Sequence, residues 1–535
     1  MFLAVTLLAG IRVTAVDEVK IGVVGPMQDI QGESSWNGAQ LAAMEINALG
    51  GIDVGGTMHT ITLVQVDSAQ GQATPTYDTG VDAGDELIAA GVDYVIGGFR
   101  TEAVNGFWSV LKANSKLYIN CGAATDALLG ELQTSDPAVY NANKYIFRVT
   151  PINSTMLVAT LMTCMKMYFI PEILLPTFGV ETSPGVKQVL FTTIMDNLEW
   201  TIPMRTLLTN PAYYPGYIGD YANYTGPAGG ILVDPYATDL SAQVSTIASL
   251  GARLVVQIFS ASAGVTFVKE MAKQEVPAVL IGIDVPSQMA EMWTLTEGAC
   301  EYESFLATFG TRTAISTMMT DFWDHYVGNY TDEPIYTGAG TYNAVYMLKQ
   351  ALETAGTKDT DAVITTLEGI QMQVATGTLK FTSSPLGSGK GHDVYMTVME
   401  LTPYWPPPQY VRALITQWQV HDSTPSRECV APAFYGPGVP IPWAKAYQLP
   451  LWMSPLFQDI NHDGKVDIDD VVRAALAFGS YAGPPPHERW DRVADVTGDG
   501  KVDIDDVVMV ALAFGKWVEP WPITFPPGPT IYPVP

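Results

Sequence analysis

From Val19 onward the sequence alternates short apolar runs with longer segments whose apolar residues recur at helical spacing, and few folds accept that rhythm. VKIGVVG reads as a buried strand, and WNGAQLAAMEINALGG reads as a helix closed by the pair Gly50-Gly51. HTITLVQVD, VDYVIGG and LYINCG follow as strands, with TYDTGVDAGDELIAAG and FWSVLKANS as helices between them. Such alternation predicts a parallel sheet covered by helices on both faces, with binding sites at the carboxyl ends of the strands. After Pro151 it resumes with QVLFTTIM, ARLVVQIFS and PAVLIGID, enough for a second α/β unit. Between about Met289 and Gly369 the pattern is mainly helical, as in AGTYNAVYMLKQALETAG, and it ends in GTLKFTSS, DVYMTVMEL and VRALITQW.

A chain of 535 residues is too long for one ordinary domain and long enough for two or three. With 47% hydrophobic and 15% charged residues it is expected to be globular, and its net charge of -28 repels phosphate backbones and anionic lipid. Nucleic acid is therefore excluded as a partner class, whereas calcium is favoured. MFLAVTLLAGIRVTA has the short apolar run and small-residue ending of a signal peptide over residues 1–16, cleaved near Ala15 or retained as an anchor. No cysteine follows that could take a lipid. The stretch from Met156 to Leu175 contains Lys166 and Pro171 and reads as a buried helix, not a membrane span. Sequons at Asn153, Asn223 and Asn329 fit export, so the expected location is extracytoplasmic. Cys121, Cys164, Cys300 and Cys429 allow three disulfide pairings or four buried thiols.

Nothing in the chain calls for catalysis. There is no G-x-S-x-G elbow, no H-E-x-x-H and no phosphate-binding G-x-x-x-x-G-K, and the six histidines are scattered. The glycine-rich GSGKGHD lacks the following helix that a phosphate cradle requires. An enzyme is not expected.

VKIGVVGPMQDIQGESSWNGAQLAAMEINALGGI and VDYVIGGFRTEAVNGFWSVLKANSKLYINCGAATDAL resemble the leucine/isoleucine/valine-binding protein family of periplasmic-type solute-binding proteins. The resemblance continues more weakly to about Trp418. It implies a type I fold over residues 17–420, two α/β lobes joined by a hinge and closing on a ligand. Lobe I is expected at about 17–148 and 286–375, and lobe II at about 149–285 and 376–420. The implied function is capture of an amino acid or related small polar metabolite for an ABC-type permease. The alternative is a sensor or a scaffold component.

A free amino acid presents a carboxylate, which needs hydroxyl and N–H donors, and an ammonium, which needs an acid. In VIGGFRTEA a strand ends at Gly97-Gly98 and delivers Thr101 to the head of a helix, where unbonded N–H groups favour an anion. NCGAATDAL delivers Ala123 and Thr125 in the same way. The resemblance implies that the Thr101 hydroxyl, the Ala123 backbone and Thr125 hold the ligand carboxylate, that Asp284 in VLIGIDVPS pairs with the ammonium, and that Trp200 forms an aromatic wall. On their own, the threonines could equally be helix caps, Asp284 a surface acid and Trp200 core. Gln31 and Ser260 stand where the family often has aromatic residues, and Arg100 brings a positive charge that either favours an acidic ligand or faces solvent.

The tail carries DINHDGKVDIDD (Asp459 to Asp470) and DVTGDGKVDIDD (Asp495 to Asp506). Calcium loops place oxygen ligands at positions 1, 3, 5, 7, 9 and 12 around a turn glycine at 6. The first copy supplies Asp459, Asn461, Asp463, the carbonyl of Lys465, Asp467 and Asp470. The second supplies Asp495, Thr497, Asp499, the carbonyl of Lys501, Asp503 and Asp506. Two calcium ions are therefore expected, the second held more weakly because threonine is a poor ligand. With the helices VVRAALAFG and VVMVALAFG the pair resembles a type I dockerin, an all-α EF-hand-like module, which implies a cohesin-like partner. Ile468-Asp469 and Ile504-Asp505 depart from the small hydroxylated pair typical of that family, so packing on its own chain or on a surface component is the alternative. The dockerin-like module is expected at residues 456–517, after a proline-rich linker at 421–455 and before a proline-rich tail at 518–535.

Overall fold

The structure is a computed structural model in which the described residues are 17–70, 75–395, 414–421, 424–431, 434–436, 439–440, 445, 447–450, 453, 458–461, 465–481, 487–489, 491, 494–496 and 501–516. The expected signal segment, the proline-rich tail and the loop positions Asp463, Thr497 and Asp499 lie outside them.

The first lobe is built on strands β1 (Glu18–Gly25), β2 (Ile52–Val54), β3 (Thr57–Asp67), β4 (Tyr94–Gly97), β5 (Tyr118–Asn120) and β6 (Ile146–Arg148). Their order is β2-β3-β1-β4-β5-β6, parallel except for the β2–β3 hairpin. Helices α1 (Ile30–Ala48), α2 (Tyr77–Ala89) and α3 (Thr101–Ala113) cover it. Thr76 caps α2 through a reciprocal bond with Thr79, which satisfies N–H groups that the helix start leaves open.

The second lobe contains β7 (Val180–Ser183), β8 (Val186–Asp196), β9 (Ala222–Tyr224), β10 (Ile231–Val233), β11 (Leu254–Phe259), β12 (Val279–Asp284) and β13 (Ser304–Ala307). The path β10-β8-β11-β12-β13 is parallel, and helix α4 (Ala263–Lys273) joins β11 to β12. The chain then returns to the first lobe as helix α5 (Tyr336–Ala355), packed on α1. Glycine permits this contact: a Cβ at Gly38 would lie 2.1 Å from the Gly338 carbonyl oxygen. The two α/β lobes foreseen from the alternation are thus present.

Three boundaries differ from expectation. β13 belongs to the second sheet, so the return to lobe I comes well after 286; all four of its residues are buried, and that burial outweighs the helical pattern around it. Lobe II is expected again from 376, but the chain after the hairpin of β14 (Gln371–Val374) and β15 (Gly377–Lys380) stays with the first lobe, where Asp393 bridges to Arg148 at the end of β6. The expected linker is partly sheet: β17 (Thr424–Ala431) pairs at the sheet edge with β16 (Leu414–His421), which falls on the expected strand VRALITQW and itself pairs with β13. Proline density predicts irregular chain there, but an edge strand tolerates Pro425 because one side of its backbone needs no ladder bond. Tyr447 and Met453, further into the expected linker, are buried in the main core.

The stretch expected as one buried helix runs as Ser154–Cys164 and then widens into a π-helical stretch, Met165–Leu174, around Pro171. Pro171 has no N–H to offer a regular α-turn, which accounts for the departure. Among the described residues no helix is long and apolar enough to cross a membrane. All four cysteines are buried and present as thiols.

In the tail, helices α6 (Ile468–Ala477) and α7 (Ile504–Ala513) start directly after Asp467 and Asp503, which cap them. The halves exchange backbone bonds: Val466 with Gly515 and Lys516, and Val502 with Gly479 and Ser480. Ile460, Val466, Ala474, Val502 and Val510 fill a small core of their own. Arg473 ties the module to lobe II, donating to Glu275 at 3.2 Å as well as to Asp491 at 2.8 Å and the Ile460 carbonyl at 2.7 Å.

Candidate functional site

A cleft of about 570 Å³, part of it open to solvent, lies between the carboxyl ends of the two parallel sheets. Gly97 and Gly98 end β4 with φ of 113° and 87°, a backbone region that side chains resist. At Gly97 a Cβ would also sit 2.2 Å from the Val24 carbonyl oxygen. The turn they make carries Phe99, Arg100 and Thr101 to the cleft. Lobe II contributes Trp200, Ser260, Ile283, Val285 and Leu306, and α5 contributes Tyr336 at its first turn.

Arg100 is the charged side chain among the described lining residues, and it is only 6% exposed. It reaches from lobe I to lobe II, donating from one Nη to Ser260 Oγ at 3.1 Å and from the other to the Tyr236 hydroxyl at 3.0 Å. Its carbon lies 5.5 Å from the Tyr236 ring centre, close enough for a cation–π contribution. Ser260 passes the link on: its N–H and Oγ–H both donate to Asp196 Oδ2, each at 2.7 Å. Burial pushes the Asp196 carboxyl up to about 6, against the lowering effect of Ser260 and Arg100. Asp196 is fully buried and does not line the cleft. Arg100 Nε has no protein partner.

Thr101 lines the cleft as the first residue of α3; Arg100, not Thr101, occupies the cap position. Trp200 also lines it, in the turn Glu199–Thr201, with its indole N–H buried and without a protein partner. The other three expected ligand contacts are placed elsewhere. Asn120 clamps the loop after β5, accepting from the Ala123 N–H at 2.9 Å and donating to the Ala123 carbonyl at 2.7 Å, so that N–H is already used. Thr125 accepts from the Ala127 N–H at 3.4 Å, as a capping residue would, and its carbonyl takes Arg148 Nη2 at 2.5 Å. Gly122 and Ala124 line the cleft in their stead.

Asp284 ends β12, where alternate side chains face opposite ways. Ile283 and Val285 face the cleft, while the Asp284 carboxylate packs toward α4, where a Cβ at Gly264 would meet it at 2.5 Å. Burial, and then the adjacent Glu303, hold the Asp284 carboxyl well above the usual range. Ser287 Oγ donates to Glu303 at 2.6 Å behind the same wall. Sequence reasoning missed Phe99, Ile152, Leu157, Leu306 and Tyr336 as lining. Strand alternation around Asp284 was the one signal that could have found Ile283 and Val285.

In the tail, Asp459, Asp470 and Asp506 are buried. Asp470 accepts from the Asn461 N–H at 3.0 Å and the Asp467 N–H at 2.8 Å, and Asp506 accepts from the Asp503 N–H at 2.7 Å. Position 12 therefore folds each loop back on itself. Lys465 contacts Asp467 and helps hold its carboxyl low. Asp495 and Lys501 are described, with Lys501 bridged to Tyr481. Among the described residues no group of three or more His, Cys, Asp or Glu is set to hold a metal. Buried, oxygen-only donors are nonetheless what a hard cation such as calcium takes.

The profile described as periplasmic binding protein matches residues 18–168 and 221–401. No curated protein matches the chain. Among solved structures, a branched-chain amino acid transporter substrate binding protein from Streptococcus pneumoniae, in complex with isoleucine, aligns at 15% identity with a TM-score of 0.54, covering 78% of this chain and 100% of that one. A leucine-, isoleucine-, valine-, threonine- and alanine-binding protein from Brucella ovis aligns at 14% identity and 0.57, covering 77% and 94%. An ABC-transporter solute binding protein from R. palustris, in complex with benzoate, aligns at 12% identity and 0.56, covering 77% and 96%. At these identities the likeness shows the fold.

Proposed function

Because the chain belongs to the periplasmic binding protein family, we propose that it is an extracytoplasmic solute-binding protein that closes two lobes on a small organic acid and delivers it to an ABC-type permease. One observation carries this reading: a buried arginine, held by lobe II oxygens, stands among otherwise uncharged described lining residues in a cleft at the ends of both sheets. Arginine recognises carboxylates through several N–H groups at once. The ligands named for the similar structures, isoleucine and benzoate, share a carboxylate on an apolar body. Thermal-shift screening of the full chain against amino acids, amides and aromatic acids tests the reading. Stabilisation by a carboxylate supports it, and no stabilisation by any compound contradicts it.

The tail, in the same reading, binds two calcium ions and holds the protein at the cell exterior as a dockerin-like module. A second reading, a sensor or scaffold component docked to a cohesin-like or other surface protein, is favoured by one feature. Helices α6 and α7 expose matching apolar rows, Ile468, Val472, Leu476 and Ile504, Val508, Leu512. Calcium-dependent association of the full chain with a cohesin-type domain supports it; lack of association leaves the transport reading alone.

A further inference from the structure

We infer that the cleft selects carboxylates whose apolar or aromatic body carries no ammonium group, aryl or alkyl monocarboxylates and not α-amino acids. This deepens the solute-binding reading above and rests on it. An α-amino acid brings two charges of opposite sign, and a buried site must answer both. The described lining answers only one. Arg100 supplies the positive charge, and its two partners across the cleft, Ser260 Oγ and the Tyr236 hydroxyl, are neutral oxygens. No carboxylate lies among the described lining residues.

The acid best placed by sequence to meet an ammonium is Asp284, and it points the other way. β12 presents Ile283 and Val285 to the cleft and turns Asp284, fully buried, toward Gly264 and Glu303. Asp196 is separated from Arg100 by Ser260, to which its Oδ2 is committed twice. Phe99, Ile152, Leu157, Trp200, Leu306 and Tyr336 supply the apolar part of the wall, and its remaining polar side chains, Thr101, Gln288 and Thr308, are all neutral. Against these an ammonium would lose its water and gain no counter-charge. An aryl ring or branched alkyl chain loses only unfavourable hydration there.

Matched pairs test this directly. The full chain is titrated calorimetrically with 3-phenylpropanoate against phenylalanine, 4-methylpentanoate against leucine, and benzoate alone. In each pair the acid without the amine is expected to bind at least about tenfold tighter. Equal or tighter binding of phenylalanine or leucine overturns the inference while the solute-binding reading stands. Absence of binding by all five compounds overturns both. Arg100→Lys adds a check that keeps the charge: it should weaken benzoate binding without reversing the preference within a pair, because lysine replaces a planar fork by a point charge. A reversed preference in that variant overturns the inference.

Discussion

Arg100 of lobe I donates to Ser260 Oγ of lobe II at 3.1 Å, and Ser260 hands its own hydroxyl hydrogen to the buried Asp196 at 2.7 Å. A cation, a hydroxyl and a carboxylate are thereby strung from the cleft into the interior of lobe II, with the cation nearest the ligand space. Hydroxyl geometry makes the chain directional, since Ser260 has one hydrogen to give and a lone pair to receive.

Ser260→Ala removes the middle of that chain. The Ser260 backbone N–H still serves Asp196, but one buried donor is gone and Arg100 loses a lobe II partner. Stability should fall by about 1–3 kcal/mol in urea unfolding, the range for leaving buried polar groups unpaired. Benzoate affinity should fall as well, read by calorimetry.

The Asp284–Glu303 pair predicts a pH dependence. Burial raises both carboxyls, Glu303 to about 7, and Asp196 to about 6. The folded protein therefore keeps protons that the unfolded chain releases in the ordinary carboxylate range. Stability from this source is complete below that range and is lost as pH rises to about 7, at up to ~1.4 kcal/mol per pH unit for each proton. Asp196, Gln257, Ser287 and Cys300 act on the pair, and none of them supplies a positive charge. Glu303→Gln should flatten the decline in the unfolding free energy measured between about pH 5 and 8, a window that spans the upper end of the transition.

Arg473 predicts a separable tail. Its bond to Glu275 links module and lobe, and both side chains are about a third exposed. Such a pair contributes at most about 1 kcal/mol. Arg473→Ala should increase proteolysis between lobe II and the tail while ligand binding in the cleft stays unchanged.

Calcium should add order to the tail of the full chain. Calorimetry is expected to show two ions, with the second copy weaker because Thr497 replaces a carboxylate or amide. Asp470→Asn and Asp506→Asn should each weaken one site, since these carboxylates also gather their own loop backbones.

Much of this architecture was legible because local pattern and tertiary need agree. Strand–helix alternation gave two parallel sheets, and the loop spacing put Asp467 and Asp503 at the caps of α6 and α7. Thr101 reached the cleft because a strand end, two left-handed glycines and a helix start leave one place for it. What local pattern cannot supply is the side of a strand that faces a distant lobe. Asp284 sits at the right end of the right strand, but strand alternation and the room left by Gly264 turn it behind the wall. β13 and β17 were missed because their strand character comes from partners far along the chain, not from their own sequence. Its sequence position marks Arg100 as a charge near the cleft; its role as a bridge depends on Ser260 and Tyr236, more than a hundred residues away.

The most direct measurement is calorimetric titration of benzoate into the full chain and into Arg100→Met. Binding to the native chain should weaken by about a hundredfold or more in the variant, the loss of a charge-assisted, buried contact. A thermal midpoint of the free variant close to that of the native chain would show that the lobes remain folded. Undiminished benzoate binding to Arg100→Met would contradict the assignment of Arg100 as the anchor for a carboxylate.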